Sequence, residues 1–138
     1  MRFIDTNIFL RYFTGDDEVK AKDVLSLLKR IDRNQEKAAT NLLVIFETIF
    51  TLESFYKVKR EEIKELLNPI LELRGLSLAH KDIISESLDL FCKKNISFAD
   101  AFNASFMKAF QLKEIYSFDE DFDKIEGIKR LEPSLNNN

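Results

Sequence analysis

Glu114-Ile115-Tyr116-Ser117-Phe118, followed at once by Asp119-Glu120-Asp121, reads as a buried strand that runs into a cluster of carboxylates. The chain opens in the same way: Met1 to Ile4 read as a short buried strand that stops at Asp5. Two further short apolar segments, residues 38–40 and 76–79, lie between these ends, with a last one at Ile128 to Leu131. Helical patterns separate them. Thr6 or Asn7 is expected to cap a short helix through Arg11 to Phe13. Val19, Val24, Leu27, Leu28 and Ile31 recur at helical spacing, which predicts an amphipathic helix over residues 17–33. Residues 41–56 are apolar on nearly all sides, which predicts a buried helix. Residues 61–73 read as a helix kinked by Pro69 and stopped by Gly75, and residues 81–94 and 97–110 as two more. Strands alternating with helices predict an α/β fold: a three-layer α/β/α sandwich with a short, mostly parallel sheet. Ligands of such sheets bind outside the carboxyl ends of the strands. The residues that follow the strands therefore carry the functional reading.

Composition narrows the chemistry. The 138 residues fit one domain, expected over 1–133, with a loose tail at 134–138. A net charge of −3 excludes a uniformly basic nucleic-acid binder, though not a local basic patch. One Cys (Cys92) and one His (His80) exclude a disulfide framework and a Cys/His zinc site. Three scattered glycines exclude a P-loop and a dinucleotide-binding turn. No signal peptide or membrane span is expected, so the location reads as cytoplasmic and no membrane partner is foreseen.

Each acid has an ordinary reading. Asp5 and Asp119 stand where turn and cap residues are common. Asp100 falls at the third position after Ser97, a near capping box. Glu53 reads as a surface or ion-pair residue. Glu47 is harder to dismiss, because it interrupts the most apolar helix and an unpaired buried carboxylate is costly. Carboxylates that converge repel one another, and a hard divalent cation removes that repulsion. Mg²⁺ or Mn²⁺ takes carboxylate and water oxygens and needs neither Cys nor His.

Four blocks carry a resemblance that covers nearly the whole chain: Phe3-Ile4-Asp5-Thr6-Asn7, the helix from Leu43 through Glu47 to Ser54, Ser97-Phe98-Ala99-Asp100-Ala101, and Ser117-Phe118-Asp119-Glu120-Asp121-Phe122. In this order they resemble the PIN domain, specifically the small ribonuclease toxins of VapBC-type toxin–antitoxin pairs. The resemblance implies that Asp5, Glu47, Asp100 and Asp119 form a catalytic and metal-binding acidic set, supported by Asn7 and Ser117. It implies Mg²⁺ or Mn²⁺ as cofactor, RNA as substrate, a cognate antitoxin as partner, and a homodimer. Ser117 stands where the family usually has Thr, which keeps the hydroxyl. Gln111 and Lys113 stand where a Gly is common. Asp121 or Asp123 is a candidate to assist or replace Asp119. Arg11, Lys57, Lys59 and Arg60, or Lys93 and Lys94, are candidate RNA anchors, and Phe9, Tyr12, Phe13, Phe55 or Tyr56 candidate partner-groove residues. Two other readings remain open. One is a catalytically silent PIN-like interaction module. The other is an aspartate-nucleophile phosphatase on Asp5, against which Asn7 counts, because haloacid-dehalogenase-type enzymes want a second Asp there.

Overall fold

The computed structural model describes residues 1–134; residues 135–138, most of the expected tail, lie outside them. The chain forms two compact units, Met1–Lys81 and a second from Asp82 onward.

In the first unit the order is β1 (Arg2–Phe3), α1 (Thr6–Thr14), α2 (Glu18–Asp32), β2 (Ala38–Ala39), α3 (Leu42–Ser54), α4 (Arg60–Leu71) and β3 (Leu76–Ser77). β2 is central, pairing in parallel with β1 and with β3. A helix pair makes each crossover, as parallel neighbours require. The apolar stripes of these helices close on the strands: Ile4, Phe9, Val24, Leu28, Ile31, Ala38, Val44, Ile70, Leu73 and Leu76 form one buried cluster. Phe9, expected as a possible partner-groove residue, is fully buried in it.

Local chemistry explains the boundaries. α2 starts where the Asp17 side chain accepts the Lys20 N–H, and α3 where Asn41 accepts that of Val44. α1 differs from expectation: its cap position is Asp5, not Thr6 or Asn7. Gly15, at φ 62°, ends α1 in the left-handed conformation that glycine adopts without strain. Gly75 is not the helix stop that spacing suggested, since α4 is already capped at Glu72. Its role is close approach: a Cβ there would lie 2.6 Å from the Ile31 carbonyl oxygen and 2.7 Å from that of Glu36.

The second unit contains α5 (Lys81–Lys93, which begins at the boundary), α6 (Phe98–Ala109), β4 (Glu114–Tyr116), a 3-10 turn (Glu120–Lys124) and β5 (Lys129–Leu131). Ile84, Leu88, Phe91, Phe98, Ala101, Met107 and Phe122 are buried here, and the Phe91 and Phe98 rings meet edge to face at 6.0 Å.

Three expectations are corrected. β4 is not buried: it pairs in parallel with β5 alone, so its side chains alternate between exposed and half-buried. β1 and β4 belong to separate ladders, so one continuous sheet does not carry Asp5 and Asp119 to a common edge. α3, in turn, is not apolar-buried on all sides. Val44, Ile45, Thr48, Ile49 and Leu52 face inward, while Leu43, Phe46 and Phe50 are exposed.

Candidate metal centre

Asp100, Asp119 and Asp121 each place a carboxylate oxygen within 4.8 Å of the others. Among the described residues this is the acidic group tight enough to hold an ion.

Each member is positioned locally. Asp100 sits in the first turn of α6, where the Ser97 hydroxyl oxygen accepts its backbone N–H at 3.1 Å. The cap expected at Ser97 is thus formed, and the helix that it starts turns Asp100 toward the 3-10 turn. Asp119 caps that turn: its Oδ1 accepts the Asp121 N–H at 2.9 Å. The Asp119 N–H in turn donates to Ser117 Oγ at 3.0 Å, and Ser117 N–H donates to the Leu131 carbonyl. Ser117 therefore ties the carboxylate-bearing turn to the β4–β5 ladder.

The electrostatics are those of crowded negative charge. The Asp100 carboxyl is held above the usual carboxylate range, first by burial and next by the charge of Asp119, with Asp121 adding to it. Its hydrogen bond with Ser97 works the other way without reversing the balance. Lys124 offsets part of the charge: its Nζ lies 2.8 Å from Asp121 Oδ1 and also donates to the Asn95 carbonyl.

The donors are all oxygens, close together, partly exposed and mutually repelling. That set fits a hard divalent cation of the Mg²⁺ or Mn²⁺ type. Asp121 rather than Asp123 joins the group, since Asp123 is bound at both carboxylate oxygens by Arg130. The sequence offers Asp121 only alongside Asp123, as a candidate to assist or replace Asp119, and does not distinguish the two.

The other candidates stand in the first unit, and the group includes neither Asp5 nor Glu47. Asp5 follows β1 after one intervening residue, Ile4, and is exposed, and its side chain makes no capping hydrogen bond to α1. The backbone before it is pinned: Ile4 N–H donates to the Ala39 carbonyl, and buried Thr40 donates its hydroxyl to the Ile4 carbonyl at 3.0 Å. Asn7 is exposed in the first turn of α1. Glu47 is exposed too, which removes the cost-of-burial argument made for it. It shares the outer side of α3 with Phe46 and Phe50, whose rings stack at 6.0 Å. Glu53 pairs with Arg60 at 2.8 Å, and Arg11 with Asp16 at 3.2 Å. Lys93, Lys94 and Lys113 line a cleft of about 990 Å³ in the second unit.

The PIN domain family matches this sequence over residues 2–128, a span that runs through both units. The chain belongs to the PIN domain family. It is 29% identical over 133 residues to a VapC ribonuclease of Aquifex aeolicus, covering 96% of this chain and 97% of that protein. It is 25% identical over 142 residues to ribonuclease VapC2 of Methanocaldococcus jannaschii, covering 94% of this chain and 92% of that protein.

Proposed function

We propose that this PIN-domain protein is a metal-dependent endoribonuclease, the toxin of a toxin–antitoxin pair, and that residues 1–133 act as one functional domain. The observation that carries the reading is the close triad of Asp100, Asp119 and Asp121, in a chain similar along nearly its whole length to two VapC ribonucleases.

The residues divide the work. Asp100 and Asp119 hold the cation, with Asp121 beside them. Asp5 and Glu47 supply the further carboxylates on which cleavage depends, and Asn7 and Ser117 keep the acid-bearing backbone in place. Mg²⁺ or Mn²⁺, once bound, supplies charge to lower the pKa of a water nucleophile and to stabilise the phosphate oxygens. Without a cation the acids repel the RNA backbone. The absence of any imidazole but His80 fits a mechanism that needs no histidine base.

The partner reading concerns the first unit. Tyr12, Phe13, Leu25, Leu66 and Pro69 line an apolar groove of about 260 Å³, a shape that suits a short amphipathic antitoxin segment. The exposed Leu43, Phe46 and Phe50 side of α3 is offered to a second copy, in line with the expected homodimer.

The test is cleavage of total RNA with Mn²⁺ by wild type, Asp5→Asn and Asp119→Asn, with and without EDTA. Chelation should abolish cleavage, and each substitution should reduce it on the order of a hundredfold or more. Equal cleavage by wild type and Asp5→Asn overturns the four-acid mechanism. A wild type that neither binds Mn²⁺ nor cleaves RNA would favour the silent interaction module.

A further inference from the structure

Arg130 stands on β5, outside the acidic triad, yet its guanidinium reaches back to the segment that carries two of the three acids. Its Nε donates to Asp123 Oδ1 at 3.1 Å and its Nη2 to Asp123 Oδ2 at 3.3 Å, a two-pronged fork on one carboxylate. Its Nη1 donates to the Ser117 carbonyl at 3.1 Å and to Glu132 Oε1 at 3.1 Å. The Arg130 side chain is only 14% exposed, so the fork is held in place by its surroundings rather than sweeping through solvent.

The groups that this fork joins flank the two acids. Ser117 comes before them: its hydroxyl accepts the Asp119 N–H at 3.0 Å, and its own N–H donates to the Leu131 carbonyl. Asp123 comes after them, in the 3-10 turn Glu120–Lys124 and two residues past Asp121. Asp119 and Asp121 thus stand on a short loop whose entry and exit are fastened to the same guanidinium. The turn needs that fastening, because hydrogen bonds within 3-10 turns are poorly aligned, and here the Phe122 N–H reaches the Asp119 carbonyl only at 3.4 Å. A lysine could not replace the fork, since a point charge does not hold a carbonyl and both oxygens of a carboxylate in a fixed plane. The fork also occupies Asp123, the acid next in line to Asp121, at both of its oxygens.

We infer that Arg130, through its fork to Asp123 and Ser117, is a positioning residue of the metal centre: it sets Asp119 and Asp121 against Asp100 and thereby the affinity for a divalent cation. The inference rests on the metal-dependent reading above. Arg130 touches neither the cation nor the triad; it acts through the backbone on which two of the acids stand, and it keeps Asp123 from competing with Asp121 for the ion.

The experiment uses the full chain as wild type, Arg130→Lys, Asp123→Asn and the double variant. Arg30→Lys serves as the control, an arginine whose acidic partner is Glu36 in the first unit. Mn²⁺ binding is read by calorimetry, hydrogen exchange of residues 119–124 by mass spectrometry without metal, and cleavage of an RNA oligonucleotide by gel. Arg130→Lys and Asp123→Asn should each weaken Mn²⁺ binding roughly tenfold or more and speed exchange in the metal-free turn. The double variant should be no worse than either single one, as expected of two groups that act as a unit. Saturating Mn²⁺ should return cleavage toward wild type with KM for RNA unchanged, and Arg30→Lys should bind Mn²⁺ like wild type. Single variants that bind Mn²⁺ like wild type overturn the inference while leaving the nuclease reading intact. So do losses that add up in the double variant, which would make the two side chains independent. If Arg130→Lys does not fold, the near-isosteric Asp123→Asn decides by the same two measurements. A wild type that neither binds Mn²⁺ nor cleaves RNA overturns both readings.

Discussion

Asp100 has two neighbours of its own charge, and that shapes how the protein responds to pH. Its carboxyl is raised above the usual range by burial and by Asp119. The folded chain therefore holds this proton more tightly than the unfolded chain does. The resulting stabilisation is fully present below the unfolded pKa, at about 4, and is lost as pH rises through the raised folded value. Melting curves taken upward from about pH 4 without metal should show wild type falling more steeply than Asp100→Asn, and added Mn²⁺ should flatten the wild-type curve. Identical slopes for the two proteins would mean that the crowding has no energetic effect. Single residues were unevenly legible in the sequence. The Ser97 cap follows from short-range spacing, whereas Asp100 and Asp119 as site candidates rest on the resemblance of four blocks in order. Exposure of Glu47 follows from neither, because hydrophobicity all round a helix gives no direction. Gly75 looked like a stop for the same reason: proximity to the Ile31 and Glu36 carbonyls depends on residues about forty positions away.

At the scale of elements, helices were read more closely than strands. The helix expected over residues 17–33 spans Glu18–Asp32, since one apolar stripe and one capping Asp define it locally. β4 was misjudged as buried, because Ile115, Tyr116 and Phe118 have the composition of a core strand. What the composition omits is the number of partners, and β4 has one. α3 shows the related problem of a helix with two apolar sides. Its inner side should govern stability and its outer side should not. Ile49→Ala is expected to cost roughly 2–5 kcal/mol, whereas Phe50→Ser should stay within about 0.5 kcal/mol at concentrations where the chain is monomeric. Urea denaturation of the two variants decides it, and comparable losses from both would show that Phe50 is also packed.

For the molecule as a whole, the charge balance sets how RNA is held. The net charge is −3, and Arg11, Arg30, Arg60, Lys108 and Arg130 are all engaged in ion pairs. The overall negative charge opposes phosphates at long range, so contacts with them fall to local cations such as Lys93, Lys94 and Lys113, which line one cleft. Binding of RNA should therefore weaken with salt, with a log–log slope corresponding to about two or three phosphate contacts. Anisotropy titrations over a range of potassium chloride concentrations measure it, and a slope several times steeper would reveal a broad basic track.

Lys124 gives the acidic triad a property of its own. With an ammonium group already seated against Asp121, the pocket is never a bare anionic hole waiting for any positive charge. Any cation that took this site would have to share the Asp121 carboxylate with the Lys124 ammonium or displace it, a competition in which a doubly charged ion holds the advantage over a singly charged one.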